Sequence, residues 1–191
     1  MPVAPAVHSV HIYDDHSSLI SRLCGITSSS LHVGDSVLVV ARAETRNRLV
    51  EELRSSGVDV RRHARERRFV MVDASEALST FMMDGSPDPV LFKASIRRML
   101  ADSQKRARSA GQCLTVYGEM VAVLWEEGKQ DAALRLEELW NLALSDGSFH
   151  LHCSYPRSLL KREGDFSSVC AAHSHVLQDR SVNTALDQPA A

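Results

Sequence analysis

Five short apolar runs punctuate the chain, and each is followed by a stretch with helical spacing. Residues 7–13 come first, with Val10 and Ile12 on one face. Residues 36–41 are apolar on both faces, and residues 68–72, 112–117 and 149–155 complete the set. Continuous apolar character over this length suits strands covered on both sides, as in a parallel sheet. Helical patterns occupy 15–31, 44–56, 75–83, 89–110, 119–127, 131–144 and 166–177. Leu49, Val50 and Leu53 form one stripe, and Gly57 sits where a glycine would close that helix. Ser75 is placed to cap the third helix, and Asp88 and Pro89 to open the long fourth one. Leu136, Leu139, Trp140 and Ala143 mark the buried side of residues 131–144. Strands alternating with helices at this spacing predict an α/β fold: a doubly wound, mostly parallel five-stranded sheet with helices on both faces. Such folds bind ligands at the carboxyl rim of the sheet.

The pattern is lost at both ends. Residues 1–6 read as a flexible arm and 179–191 as a disordered tail, leaving one domain over 7–178. Aromatics are only 5% of the 191 residues, so Leu, Val and Ala supply most of the core. A formal charge of −2 argues against a phosphate-backbone binder, hence no direct DNA binding. No apolar run reaches the roughly 18 residues a bilayer requires, and the start lacks a basic, then apolar leader. Cys24, Cys113, Cys153 and Cys170 are widely spaced and form no CxxC pair. Reduced thiols and a cytoplasmic location are the expectation.

The first strand-to-helix junction, where a nucleotide-binding α/β fold keeps its glycine loop, reads Tyr13-Asp14-Asp15-His16-Ser17-Ser18. It has no glycine and two carboxylates that would repel a phosphate. Gly128-Lys129 is a decoy, with Val123 in place of the first glycine and Gln130 in place of the Mg²⁺-binding hydroxyl. GxGxxG and GxSxG are absent, so no intact hydrolysis or nucleophile motif is read and no enzyme activity is expected. His150, His152 and Cys153 on the fifth strand, with Cys170, His173 and His175 on the last helix, could build a zinc site across elements. No standard zinc spacing is present, so these groups are read as hydrogen-bonded or exposed, with no metal and no cofactor. Arg61, Arg62, Arg65, Arg67 and Arg68 crowd the approach to the third strand and read as a solvated connection.

The segment from Tyr117 to Asn141 carries the most chemistry. Glu119 falls at the end of the fourth strand, Trp125 on the next helix, and Glu137 and Asn141 share a helix face. From spacing alone, the tryptophans are large core residues and Glu137 and Glu138 are solvated.

At these residues the chain resembles the MEDS domain, the methanogen/methylotroph DcmR-type sensory domain, over roughly His8 to Val176. The matching pieces stand in order: His8 with Ile12-Tyr13-Asp14; Val33-Gly34-Asp35 running into Val40; Gly57-Val58-Asp59-Val60; Val72-Asp73-Ala74; and Phe81 to Gly85. Gly118-Glu119-Met120-Val121, Leu136-Glu137-Glu138-Leu139-Trp140-Asn141, Cys153-Ser154-Tyr155-Pro156 and Cys170 to His175 follow. Ser154 stands where the family usually shows Ala. The resemblance implies a RecA/KaiC-like core without a phosphate loop and a non-catalytic domain sensing small hydrocarbon derivatives. It makes His8, Tyr13, Glu119, Trp125, Glu138, Trp140, Asn141, Tyr155 and His173 the ligand-binding candidates. Family members often carry a helix-turn-helix or kinase domain. This chain shows neither, so the expected output goes in trans to a regulatory protein partner such as a kinase, an anti-sigma factor or a transcription factor. Residues 68–72 and 89–110 each offer a face for a homodimer. Two rivals stand beside this reading: a degenerate nucleotide-binding protein holding Mg²⁺ on Asp14, Asp15 and Glu119, and a pure protein-interaction module in a sigma-factor or kinase cascade.

Overall fold

The computed structural model describes residues 7–109, 112–145 and 149–179. The expected arm at 1–6, residue 110 of the long helix and tail residues 180–191 lie outside them. Strand β1 (His8–Tyr13) leads through helix α1 (His16–His32) to β2 (Ser36–Ala41). Helices α2 (Ala43–Ser55) and α3 (Val60–Arg65) precede β3 (Phe69–Asp73). Helix α4 (Ala74–Ser79) and a small hairpin, β4 (Met82–Met83) and β5 (Ser86–Pro87), connect to the long α5 (Pro89–Ser109). Then come β6 (Leu114–Gly118), α6 (Met120–Glu126), α7 (Gln130–Ser145), β7 (Phe149–Pro156), α8 (Glu163–Ala171) and β8 (His175–Gln178).

The main sheet has six strands in the order β3-β2-β6-β7-β1-β8, and every pairing is parallel. Strand side chains alternate between two cores, as the pleat requires. Val37, Val39 and Ala41 pack with Leu19, Leu23, Leu49, Leu53 and Val60 of α1 to α3 on one face. Leu38 and Val40 join Val10, Ile12, Phe81, Phe92, Leu136 and Trp140 on the other, which α4 to α8 cover. The sheet is thus covered on both faces, as the unbroken apolar runs required.

Four local readings differ from the structure. The helix expected over 166–177 ends at Ala171, and residues 175–178 form β8, a sixth strand beside β1. Residues 82–87 add the hairpin. The open edge of β1 needs backbone partners, and Ser174 begins to supply them by donating its N–H to His8 O at 2.8 Å. Ser75 does not cap α4. The Asp73 carboxylate does, accepting from the backbone N–H groups of Ser75 and Glu76 at 2.9 and 3.1 Å. Residues 60–65 of the arginine-rich stretch are helical, with Asp59 accepting from Arg62 N–H at 2.9 Å. Arg68 donates to the carbonyl of Leu31 at the end of α1, where a cation is favourable. Gly57 closes α2 at φ +81°, in the left-handed region glycine favours.

Asp179 brings the end of β8 back to the top of β1. Its carboxylate accepts from Asp14 N–H at 2.9 Å, from His11 Nε2 at 2.8 Å and from the Ser18 hydroxyl. Burial pushes this carboxyl up, but the Ser18 and His11 hydrogen bonds outweigh burial and hold it at about 2, against an ordinary 3.8. A depressed folded value means stabilisation that is complete above about 4 and lost as pH falls toward 2. Asp179→Asn is expected to lower the unfolding free energy by about 1–2 kcal/mol at pH 7. In urea titrations, its deficit relative to the wild type shrinks between pH 4 and 2.

Candidate functional site

Under α7, four side chains from four parts of the chain converge. His8 opens β1, Glu137 lies on α7, Cys153 lies on β7, and His173 follows α8. One ligand-capable atom from each lies within 4.8 Å of all the others, and all four residues are buried. The register of β1 on β7 pairs Val10 with Cys153, so His8 and Cys153 occupy the same sheet face. Glu137 sits in the stripe Ala133, Leu136, Glu137, Trp140 that α7 turns toward that face.

The carboxylate of Glu137 has no solvent exposure. Its Oε2 lies 3.3 Å from His8 Nε2 and 3.6 Å from Cys153 Sγ. Its Oε1 accepts from the Tyr155 hydroxyl at 2.9 Å and lies 3.3 Å from His173 Nε2. Burial pushes this carboxyl up, and the neighbouring His173 and His8 reverse that and hold it at about 2. Burial pushes His173 down, and Glu137 overcomes this, so His173 lies above its ordinary value. The Cys153 thiol and the Tyr155 phenol are driven well up by burial first and then by Glu137. Both stay protonated and can donate to the carboxylate.

The outer hydrogen bonds settle how each imidazole faces this centre. His173 Nδ1 lies 2.7 Å from the carbonyl of Val169, which can only accept, so Nδ1 carries the hydrogen. Asn141 donates Nδ2–H to the carbonyl of Ala172 at 2.9 Å, which fixes its amide and turns Oδ1 to His8 Nδ1 at 2.8 Å. His8 Nδ1 therefore donates too. Both Nε2 atoms are left facing Glu137, and His173 Nε2 makes no well-directed hydrogen bond.

A second group sits at the carboxyl rim. Glu119 is buried and reaches across to α2, accepting from Arg42 N–H at 2.9 Å and from the Thr45 hydroxyl at 3.1 Å. Burial raises its carboxyl above the ordinary range despite these bonds. Tyr13 lies near it on the other face of the sheet, with its phenol raised by burial and then by Glu119. At the β1–α1 turn, Asp15 accepts from the N–H groups of Ser17 and Ser18 at 2.8 and 2.9 Å. The donors a phosphate would use at that helix start are taken by the protein's own carboxylate.

The family model described as "MEDS: MEthanogen/methylotroph, DcmR Sensory domain" matches residues 7–174. The chain belongs to this family. No match is found among the curated proteins. Among solved structures, it is similar to the crystal structure of uncharacterized protein PH0321 from Pyrococcus horikoshii in complex with an unknown peptide. The identity is 17% and the TM-score 0.65, over 91% of this chain and 78% of that one. At that identity the likeness shows the fold alone. The protein is thus a MEDS sensory domain on an α/β scaffold, and no described helix is long and apolar enough to cross a membrane.

Within this MEDS domain the nine candidate residues do not share one pocket. His8, Asn141, Tyr155 and His173 come together around Glu137. Trp125 and Trp140 are buried beside them as core: Trp125 stacks edge-on against Tyr155 at 5.5 Å and donates to Leu159 O, and Trp140 meets Phe92 at 5.3 Å. Tyr13 and Glu119 stand apart at the rim. Glu138 is exposed and pairs with Arg135 at 2.6 Å. Glu137, expected in solvent, is the buried member of the pair. Its place in the Ala133–Leu136–Trp140 stripe is the signal that reveals it. Of the six zinc candidates, Cys153 and His173 meet. His152 is turned to Ser9 at 2.6 Å on the opposite face, and His175 lies in β8.

The other flank of α7 lines a cleft of about 830 Å³ against α5. Phe92, Ile96, Leu100, Leu139 and Phe149 give apolar walls, and Lys93, Arg97 and Gln104 supply polar groups. Removing the central carboxylate of the buried cluster strands its partners, so Glu137→Ala is expected to cost about 3–5 kcal/mol. Glu138→Ala, one residue on, changes stability by about 0.5 kcal/mol or less. Urea unfolding of the two variants side by side checks this.

Proposed function

We propose that this MEDS domain senses a small molecule in the α5–α7 cleft and passes the signal in trans to a regulatory protein. The observation that carries the reading is the double role of α7. Leu139, Leu142 and Ala143 on one flank line the cleft, while Glu137 and Asn141 on the opposite flank engage the buried cluster. The cleft volume falls in the range of small-molecule sites, about 300–1,000 Å³, and its apolar walls with few polar groups match their usual lining. Lys93 and Arg97 favour an apolar body bearing an electronegative or anionic substituent, in keeping with the hydrocarbon derivatives that the family resemblance implies.

A ligand wedged between α5 and α7 prefers one placement of α7, and that preference is all a population shift requires. Helix α7 cannot move without disturbing Glu137, whose partners sit on β1, β7 and the segment after α8. The sheet edge near β8 thereby senses the state of the cleft. A partner that binds one state better than the other completes the signal.

Thermal melts of the full chain against a panel of short haloalkanes, alcohols and carboxylates test this. Saturation at about 100 times Kd adds about 2.7 kcal/mol, which raises the Tm by about 5–10 °C in a chain of this size. Ala143→Trp fills the cleft and is expected to abolish the shift. No shift with any compound, or an equal shift in the Trp variant, overturns the cleft as the sensory site.

A further inference from the structure

We propose that His8, Glu137, Cys153 and His173 form a closed four-ligand site for a zinc-type divalent cation, independent of the ligand cleft. Three physical observations converge on it. The first is the convergence of ligand-capable atoms. With both Nδ1 atoms committed as donors to Asn141 Oδ1 and Val169 O, both Nε2 atoms are turned to the same buried carboxylate, each 3.3 Å from one of its oxygens. Cys153 has one hydrogen to give and Tyr155 another, and both go to Glu137. Neither reaches His173 Nε2, which lies 3.3 Å from Glu137 Oε1 without a well-directed hydrogen bond. A cation at the centre takes a lone pair from each of the four groups at once.

The second is spacing. Tetrahedral zinc, with bonds of about 2.0–2.3 Å to nitrogen, oxygen and sulfur, separates its ligand atoms by roughly 3.3–3.6 Å. His8 Nε2 to Glu137 Oε2 is 3.3 Å, His8 Nε2 to Cys153 Sγ is 3.5 Å, Cys153 Sγ to Glu137 Oε2 is 3.6 Å, and His173 Nε2 to Glu137 Oε1 is 3.3 Å. Three of these distances close one face around Glu137 Oε2, and His173 completes the set through Oε1, with all four ligand atoms within 4.8 Å of one another. The ligands arrive from a strand start, a helix, a second strand and a post-helical turn. The pattern is therefore invisible to any local spacing rule.

The third is charge and support. One carboxylate and one thiolate balance a divalent ion, so the loaded cluster is buried with no net charge. Binding displaces the Cys153 thiol proton and any proton on the imidazoles. Each histidine already donates its other nitrogen to an oxygen acceptor, the outer support that metal-binding histidines use. Four protein ligands leave no open position, which makes this a structural clamp joining β1, α7, β7 and the end of α8, with no place for a metal-bound water. The thiolate and imidazoles select against Mg²⁺ and Ca²⁺.

The test uses the full chain without an affinity tag, stripped with chelator and loaded with Co²⁺. The expected result is one equivalent bound, a thiolate-to-cobalt charge-transfer band and the intense visible bands of tetrahedral cobalt, all displaced by one equivalent of Zn²⁺. Cys153→Ser is expected to lose the charge-transfer band and weaken binding more than tenfold, while Cys170→Ser keeps both. A folded wild-type chain that shows no cobalt–thiolate band overturns the site. It leaves the neighbouring imidazoles as the balance for the Glu137 carboxylate. A band that survives Cys153→Ser overturns it equally, by assigning the metal to other groups. The wild-type spectrum decides the matter even where a variant fails to fold.

Discussion

A carboxylate shut off from bulk solvent must be satisfied by its neighbours, and Glu137 imposes that constraint on this MEDS domain. Every group around it is placed to meet the demand. Tyr155 donates a hydrogen, Cys153 approaches with its thiol, and His8 and His173 supply imidazole edges. They come from three elements far apart in sequence, so satisfying the one charge on α7 draws the first strand, the strand β7 and the post-α8 turn together around that helix. Burial of such a group usually weakens a fold unless pairing and hydrogen bonding are complete. Here the pairing extends outward to Asn141, Val169 and Ala172, so the cost of burial is offset across two layers of contacts.

Helix α7 owes its importance to three-sidedness. Leu136 and Trp140 press on the sheet, Glu137 and Asn141 turn toward β1 and the chain after α8, and Leu139 and Ala143 face α5. One helix is thus held by polar contacts on one side and borders a partly open apolar wall on another. The carboxyl rim, where folds of this class commonly place ligands, is instead closed by its own side chains: Glu119 spans it to Thr45 and Arg42, and Asp15 covers the first helix start.

Much of this was legible in the chain. The unbroken apolar runs gave the buried parallel strands, because a strand covered on both faces has no polar side to show. The acidic, glycine-free turn after β1 was readable because backbone donors and fixed carboxylates follow directly from residue type. Strand β8 was missed: His175 to Gln178 is short and largely exposed, and only the unmet edge of β1 makes it a strand. The cluster was half visible. His8 and His173 were named through the family resemblance, and Cys153 through its chemistry. Spacing alone does not separate Glu137 from Glu138, because adjacent acids on a helix look alike until the phase of the stripe is followed back to Ala133. The gathering of the four is a property of topology, which brings residues 8 and 173 together with no local trace.

Strand order has a consequence for how the chain acquires its shape during synthesis. β1 is flanked by β7 and β8, both from the last quarter of the molecule. Nothing translated before residue 149 can form a ladder with it. The opening segment therefore waits unpaired while β2, β3 and β6 assemble against one another. Parallel pairings between such distant segments pay their loop-closure entropy late and fold slowly. Nascent copies of this chain should depend on whatever shields an unpaired strand at the ribosome until β7 and β8 emerge.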